Sequence, residues 1–272
     1  MTDPSTPVHF FDLTSNLPPP RTSWSPFTLR TRLALNLKRI PYTQSYTSYP
    51  DIQPLLQSLS VPPLPGRIPY SLPAIHHPAS LSTLNPTNAT INDSRPIALH
   101  LERAFPSPQY PALFPSAASY PLAVAVDRII TILIAHTRRI LMAKVPAILD
   151  ERGAEFFRRT RAGLFGCPVE EYVFKGREEL EGGWRELEGE VEVLVRMLRG
   201  EGGNEGPFFE GATAGYADLM VVAFLGWYER VDRKDWERIV AVGDGGLGRL
   251  WEACLPWVEG QGEEREWVVK KG

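Results

Sequence analysis

Two hydroxyl residues stand where the sequence calls for the start of a helix. Ser25 is followed by Pro26, and then by Leu29, Leu33 and Leu37 at helical spacing. Serine is a preferred cap, and proline suits the first helical position because the N–H it lacks would have no partner there. By itself the pair reads as a cap. Asp93-Ser94 likewise opens a segment carrying Ile97, Leu99, Leu101 and Phe105, and Asp-Ser is a common cap sequence. Pro73 sits in Ser71-Leu-Pro-Ala-Ile75, an otherwise strand-like run. A proline there conflicts with a central strand and implies an edge, a bulge or a cis turn kept for a purpose.

Other reactive residue types read blandly. His76-His77 has no third ligand nearby, and Cys167 and Cys254 lie far apart, so no metal site is expected. His136, alone on an apolar helix, reads as a core or domain-interface residue. Asp127 and Arg128 read as formers of local salt bridges. Gly243-Asp-Gly-Gly-Leu-Gly248 follows a helix where a phosphate loop must follow a strand, which excludes it.

The elements that must position Ser25, Pro73 and Asp93-Ser94 lie in a proline- and serine-rich first half. Val8-His-Phe-Phe-Asp-Leu13 reads as a strand buried on both faces. A helix over 27–37, a strand over 42–49, a short helix over 51–59, strands over 71–75 and 90–92 and a helix from 93 follow. The order β-α-β-α-β-β-α predicts a small mixed sheet covered by helices. The stretch 76–88 reads as a polar loop. From about residue 117 helical spacing dominates, with helices expected over 122–149, 154–164, 170–198, 217–228, 234–242 and 247–257. The 272 residues thus divide into a first domain over 1–107, a proline-rich linker over 108–115 and an all-helical domain over 116–272.

A net charge of −3 gives no long-range attraction to phosphate backbones, so nucleic acid is not an expected partner. The most apolar segment, 122–135, is interrupted by charges and too short to span a bilayer, so no membrane insertion is expected. The opening residues show no basic patch followed by an apolar run. With two cysteines in the chain, a reducing, cytoplasmic setting is expected.

Several motifs in order carry a resemblance. Ser25-Pro-Phe-Thr-Leu-Arg-Thr-Arg-Leu33 resembles the opening of the first helix in glutathione transferases, where omega and related classes show a reactive Cys or Ser before Pro-Phe. Lys38-Arg-Ile-Pro-Tyr42, Ser71-Leu-Pro-Ala-Ile75 and Asp93-Ser94 are similar to its helix-to-strand turn, its cis-proline strand and its acidic-plus-Ser pair. Phe165-Gly-Cys-Pro-Val-Glu-Glu171, Pro207-Phe-Phe-Glu-Gly211 and Gly215-Tyr-Ala-Asp218 continue the match into the helical half. With Trp24-Ser25-Pro26 and Tyr49-Pro-Asp-Ile52, the likeness points to the fungal etherase-related, serine-type subgroup.

The resemblance implies a thioredoxin-like N-terminal domain, an all-helical C-terminal domain and glutathione as co-substrate. Ser25 would hold the glutathione thiolate, with Ser23 as the alternative. Asp93 would pair with the α-amino group, and Ser94 would meet the γ-glutamyl carboxylate. The backbone of Leu72, exposed by a cis Pro73, would bond the cysteinyl part. Asp218 would be a folding element, with Gly215 in place of the usual Ser or Thr cap. The acceptor would be an apolar, aromatic electrophile held near Trp24, Phe27 and the first long helix of the second domain. Conjugation or ether cleavage, in detoxification or secondary-metabolite biosynthesis, and a homodimer are the implied setting. A non-catalytic glutathione- or aromatic-ligand-binding protein, and a scaffold of the same fold, are the competing readings.

Overall fold

A computed structural model describes residues 8–78, 89–201 and 205–268. Part of the expected polar loop, residues 79–88, lies outside the described residues. The chain forms two compact units, residues 1–113 with 257–272 and residues 114–256.

The first unit is built on β1 (Val8–Leu13), all six residues of which are buried. α1 (Pro26–Leu37) returns the chain to β2 (Tyr42–Thr47), parallel to β1 with Asp12 beside Tyr46. α2 (Ile52–Ser58) leads to β3 (Ala74–His76) and β4 (Thr90–Asn92), both antiparallel additions, and then to α3 (Ser94–Ala104). This is the predicted order of elements, with one more strand. β5 (Glu263–Glu264) lies parallel to β2, so the sheet order is β4-β3-β1-β2-β5.

The second domain therefore does not run to residue 272 as expected. The tail from Trp257 belongs to the first unit. Asn36 donates to the carbonyls of Trp257 and Gly260 at 2.7 and 3.0 Å, and Trp267 lies against His9, Phe11 and His76 with ring centroids 4.7, 5.0 and 5.1 Å away. The boundary between Leu113 and Phe114 falls inside the proline-rich stretch. That stretch is tied down by Lys38, whose buried Nζ donates to Glu102 at 2.6 Å and to the Pro111 carbonyl at 2.9 Å.

The second unit comprises α4 (Ser119–Leu141), α5 (Glu151–Phe165), α6 (Arg177–Arg199), α7 (Tyr216–Val231), α8 (Arg233–Val240) and the start of α9 (Gly246–Glu259). α7 is apolar along its middle, from Leu219 to Tyr228, and buried almost throughout, the pattern of a central helix. α4 is long and apolar enough to cross a membrane by length and composition. Its Ala123, Val126, Ile130 and Leu133 are buried where α4 packs on α6 and α7.

Two expected helices are shorter than the apolar spacing suggested. The helix over 122–149 stops at Leu141 and gives way to a 3-10 turn, Val145–Ile148. Pro146 has no N–H for the helical ladder, and its ring would clash with the carbonyl four residues back. The helix over 170–198 begins at Arg177, after Gly176 at φ 85°, a left-handed backbone that breaks helical continuity. His136 is half-buried, with Nδ1 3.5 Å from Glu186, so it is not a core residue of its unit.

Candidate active site at one end of the sheet

Topology brings the singled-out residues of the first half together. A helix that links two parallel strands must begin where the first strand ends. The start of α1, with Ser25, therefore lies at the C-terminal end of β1. Antiparallel pairing sets Ala74, the first residue of β3, opposite Phe11, and sets Asn92, the last residue of β4, opposite Ala74. Leu72–Pro73, just before β3, and Asp93–Ser94, just after β4, thus share that same end. A direct bond joins them, from the Asp93 N–H to the Pro73 carbonyl at 3.1 Å.

Ser25 is the N-cap residue of α1, with extended backbone and Pro26 as the first helical residue. Its carbonyl accepts the first helical bond from Leu29 at 2.9 Å, yet its side chain makes no cap bond. The residue is 5% exposed. Ser23 differs sharply. It is 0% exposed, and its hydroxyl donates to Asp12 Oδ2 at 2.6 Å.

That contact is part of a buried ionic cluster which sequence reasoning missed. Arg32 Nη2 donates to the same Asp12 Oδ2 at 2.9 Å, and both side chains are fully buried. Arg32 Nη1 donates to Gln44 Oε1 at 2.7 Å and Gln261 Oε1 at 2.9 Å, the latter from the C-terminal tail. Burial works against the Arg32 charge, but Asp12, Tyr42 and Tyr46 more than offset this and hold its pKa above the ordinary value. Burial pushes the Tyr46 phenol up to about 12, so its hydroxyl keeps its proton while accepting from Arg32 at 3.2 Å. The cluster fixes the chain just before Ser25 to β1, α1 and β2. A usable signal was present: an aspartate in a fully buried apolar strand needs a cation.

The Leu72–Pro73 peptide is cis. Leu72 is buried, and its N–H and C=O bond to no described residue. Asp93 is exposed and takes φ 78°, ψ 137°, in the region L-residues avoid, at a cost on the order of 1–3 kcal/mol. Like Ser25, it makes no side-chain cap bond. Ser94 is buried at the first position of α3, where backbone N–H groups have no intrahelical acceptors.

The expected histidine pair divides. His76 Nδ1 meets Thr90 Oγ1 at 3.1 Å, whereas the buried His77 bonds through Nδ1 to His100 Nε2 at 2.8 Å. Burial, with His77 alongside, lowers the His100 pKa to about 4, so this pair is neutral and shares one proton donor. Cys254 is buried and its thiol pKa is raised by that burial. A cleft of about 620 Å³ runs along β2 and α2 against the tail, lined by Tyr46, Thr47, Ser48, Asp51, Leu55 and Trp267 among others. It includes none of Ser25, Leu72, Pro73, Asp93 and Ser94.

In the second unit Asp218 is 1% exposed at the third position of α7. Its Oδ2 accepts from the Gly215 N–H at 2.8 Å and its Oδ1 from the Phe209 N–H at 2.9 Å. Gly215 has no side chain to return the bond. Asp218 uses its second oxygen to hold the preceding turn.

A mixed sheet with two open helix starts at one end, followed by a helical unit around one apolar helix, is the architecture of glutathione transferases. A glutathione S-transferase N-terminal domain model matches residues 24–104, and a C-terminal domain model matches residues 122–257. The glutathione S-transferase-like protein ustS of Aspergillus flavus is 47% identical over 267 residues, covering 97% of this chain and 95% of that protein. Two glutathione S-transferases of Ceriporiopsis subvermispora, both solved in complex with glutathione, have the same fold. One is 28% identical with a TM-score of 0.80, over 92% of this chain and 97% of its own. The other is 29% identical with a TM-score of 0.77, over 95% and 99%. The chain belongs to the glutathione S-transferase family. Its first unit is accordingly the thioredoxin-like domain and its second the helical domain of that family.

Proposed function

We propose that this protein binds glutathione at the end of the sheet where α1 and α3 begin, and that Ser25 activates its thiol for attack on an apolar, aromatic electrophile. The observation that carries this reading is the contrast between two hydroxyls. The Ser23 hydroxyl is taken by Asp12, while the hydroxyl of Ser25, at the mouth of a twelve-residue helix, bonds to no described residue.

The energetics are adequate. A free thiol has a pKa of about 8.5, and lowering it by roughly two units needs ~2.7 kcal/mol of preference for the anion. A hydroxyl hydrogen bond to a charged sulfur contributes about 1.5–3 kcal/mol. The start of α1 adds roughly 0.3–2 kcal/mol through its unpaired N–H groups. Ser25 Oγ–H donates to the sulfur, and the thiol proton leaves to solvent. The thiolate then forms a bond to an electrophilic carbon, either by addition or by displacing an aryloxide, which takes up a proton. A serine cannot form a mixed disulfide with glutathione, so transfer is favoured over thiol–disulfide exchange.

The other groups have matching roles. The free Leu72 peptide suits the cysteinyl part of the ligand, Ser94 with the start of α3 suits the γ-glutamyl carboxylate, and Asp93 suits its ammonium. Phe27, 42% exposed two residues from Ser25, offers an aromatic surface to the acceptor.

The test is ultraviolet absorbance of bound glutathione thiolate in wild type, S25A and S23A, followed by turnover with aryl ethers, quinones and isothiocyanates. Thiolate should be lost in S25A and kept in S23A. An S25A protein that binds and ionises glutathione normally would remove Ser25 from the chemistry. Binding without turnover of any acceptor would favour a ligand-binding protein.

A further inference from the structure

The loop that carries Leu72 is held from a distance by one amide. Asn92 Nδ2 donates to the Ser71 carbonyl at 2.7 Å and to the Pro73 carbonyl at 2.8 Å. These two acceptors straddle Leu72, whose own N–H and C=O bond to no described residue. Asn92 is also the last residue of β4, opposite Ala74, and directly precedes Asp93 and Ser94. One side chain therefore joins two parts of the site that are about twenty residues apart in sequence.

We infer that Asn92 is a positioning residue for glutathione, presenting the Leu72 peptide at a fixed distance from the Asp93–Ser94 helix start. This rests on the reading that the site takes glutathione. The chemistry of the position is restrictive. A primary amide nitrogen offers two donor hydrogens, and here both are used. Aspartate of the same shape offers none and would set a carboxylate against two carbonyl oxygens. Serine offers one donor on a shorter stem. The two short N···O contacts also fix which end of the amide is nitrogen. Its oxygen, Oδ1, is buried and has no partner among the described residues, which leaves an acceptor beside the start of α3. No part of this arrangement touches Ser25. Asn92 is thus expected to govern how well glutathione binds and to leave thiol ionisation to Ser25.

The experiment titrates the full chain calorimetrically with glutathione and with S-methylglutathione, which lacks an ionisable thiol, in wild type, N92A, N92D and N92S. Thermal melts follow each variant. The pH dependence of bound thiolate absorbance is read at saturation. Losing two neutral hydrogen bonds should weaken binding of both ligands roughly tenfold or more in N92A. N92D should be weaker still, and N92S intermediate. KM for glutathione should rise with kcat and thiolate pKa unchanged. Wild-type affinity in a folded N92A and N92D would overturn the inference and leave the glutathione reading standing. The same holds if N92S, folded, loses kcat and thiolate with unchanged KM. Failure of wild type to bind either ligand would overturn both.

Discussion

The helix starts of the two units use the same residue types in opposite ways. In the second unit Asp150 accepts from the Gly153 N–H at 3.0 Å at the start of α5, Asp232 accepts from Lys234 and Asp235 at the start of α8, and Asp218 closes the start of α7. In the first unit Ser25 and Asp93 occupy the N-cap positions of α1 and α3, are residues well suited to capping, and cap nothing. A helix start whose N–H groups are met internally is a joint. One whose cap side chain makes no cap bond leaves its N–H groups to be met otherwise, which on the proposed reading is by an anionic ligand.

The largest expected effect tests the joints. D218A would strip the acceptor from two backbone N–H groups, at about 1–3 kcal/mol each. Urea unfolding should therefore show a loss of ~2–6 kcal/mol, with the glutathione thiolate intact wherever the protein is still folded. Loss of thiolate in folded D218A would break the distinction. Next comes the serine pair. S25A should lose about 1.5–3 kcal/mol of preference for bound thiolate, roughly ten- to a hundredfold in ionisation, with little change in stability. S23A should do the reverse, because it removes a charge-assisted bond from a buried carboxylate. D150A, losing one cap bond, should cost ~1 kcal/mol of stability and nothing in ligand binding.

The smallest effect is a pH dependence. Burial raises the Asp218 pKa from 3.8 to about 6, against the pull of its two N–H partners. The folded chain thus holds this proton more tightly than the unfolded one. The resulting contribution is complete below about pH 4 and is lost as pH rises through about 6. The stability difference between wild type and D218A should be larger at pH 5 than at pH 7.5 by ~1 kcal/mol. An equal difference at both values would mean the carboxylate is not penalised by its burial.

Much of the first unit could be read in advance because its signals are local. Ser25-Pro26 marked the start of α1, Pro73 marked a break before β3, and Asp93-Ser94 marked the start of α3. The tail could not be read in this way. Gly262, Glu263, Glu264 and Arg265 lack the branched and aromatic residues that favour strands. β5 forms because the edge of β2 offers backbone groups, and Arg265 N–H reaches the Gln44 carbonyl at 2.8 Å. The truncated helix after Leu141 was legible in principle from Pro146, but the apolar spacing masked it.

Sequence alone determined where the backbone could turn, start a helix or break a strand, because those preferences belong to a residue and its immediate neighbours. It also determined which residue types were available for the site. Tertiary structure decided how they were used: that Asp12 takes Ser23 and Arg32, that Asn92 spans Leu72, and that Gln261 returns to Arg32 from the far end of the chain. Each is a contact between segments whose meeting depends on strand order and register, and no local spacing encodes that. Buried donors and acceptors then pair with whatever the register brings within reach.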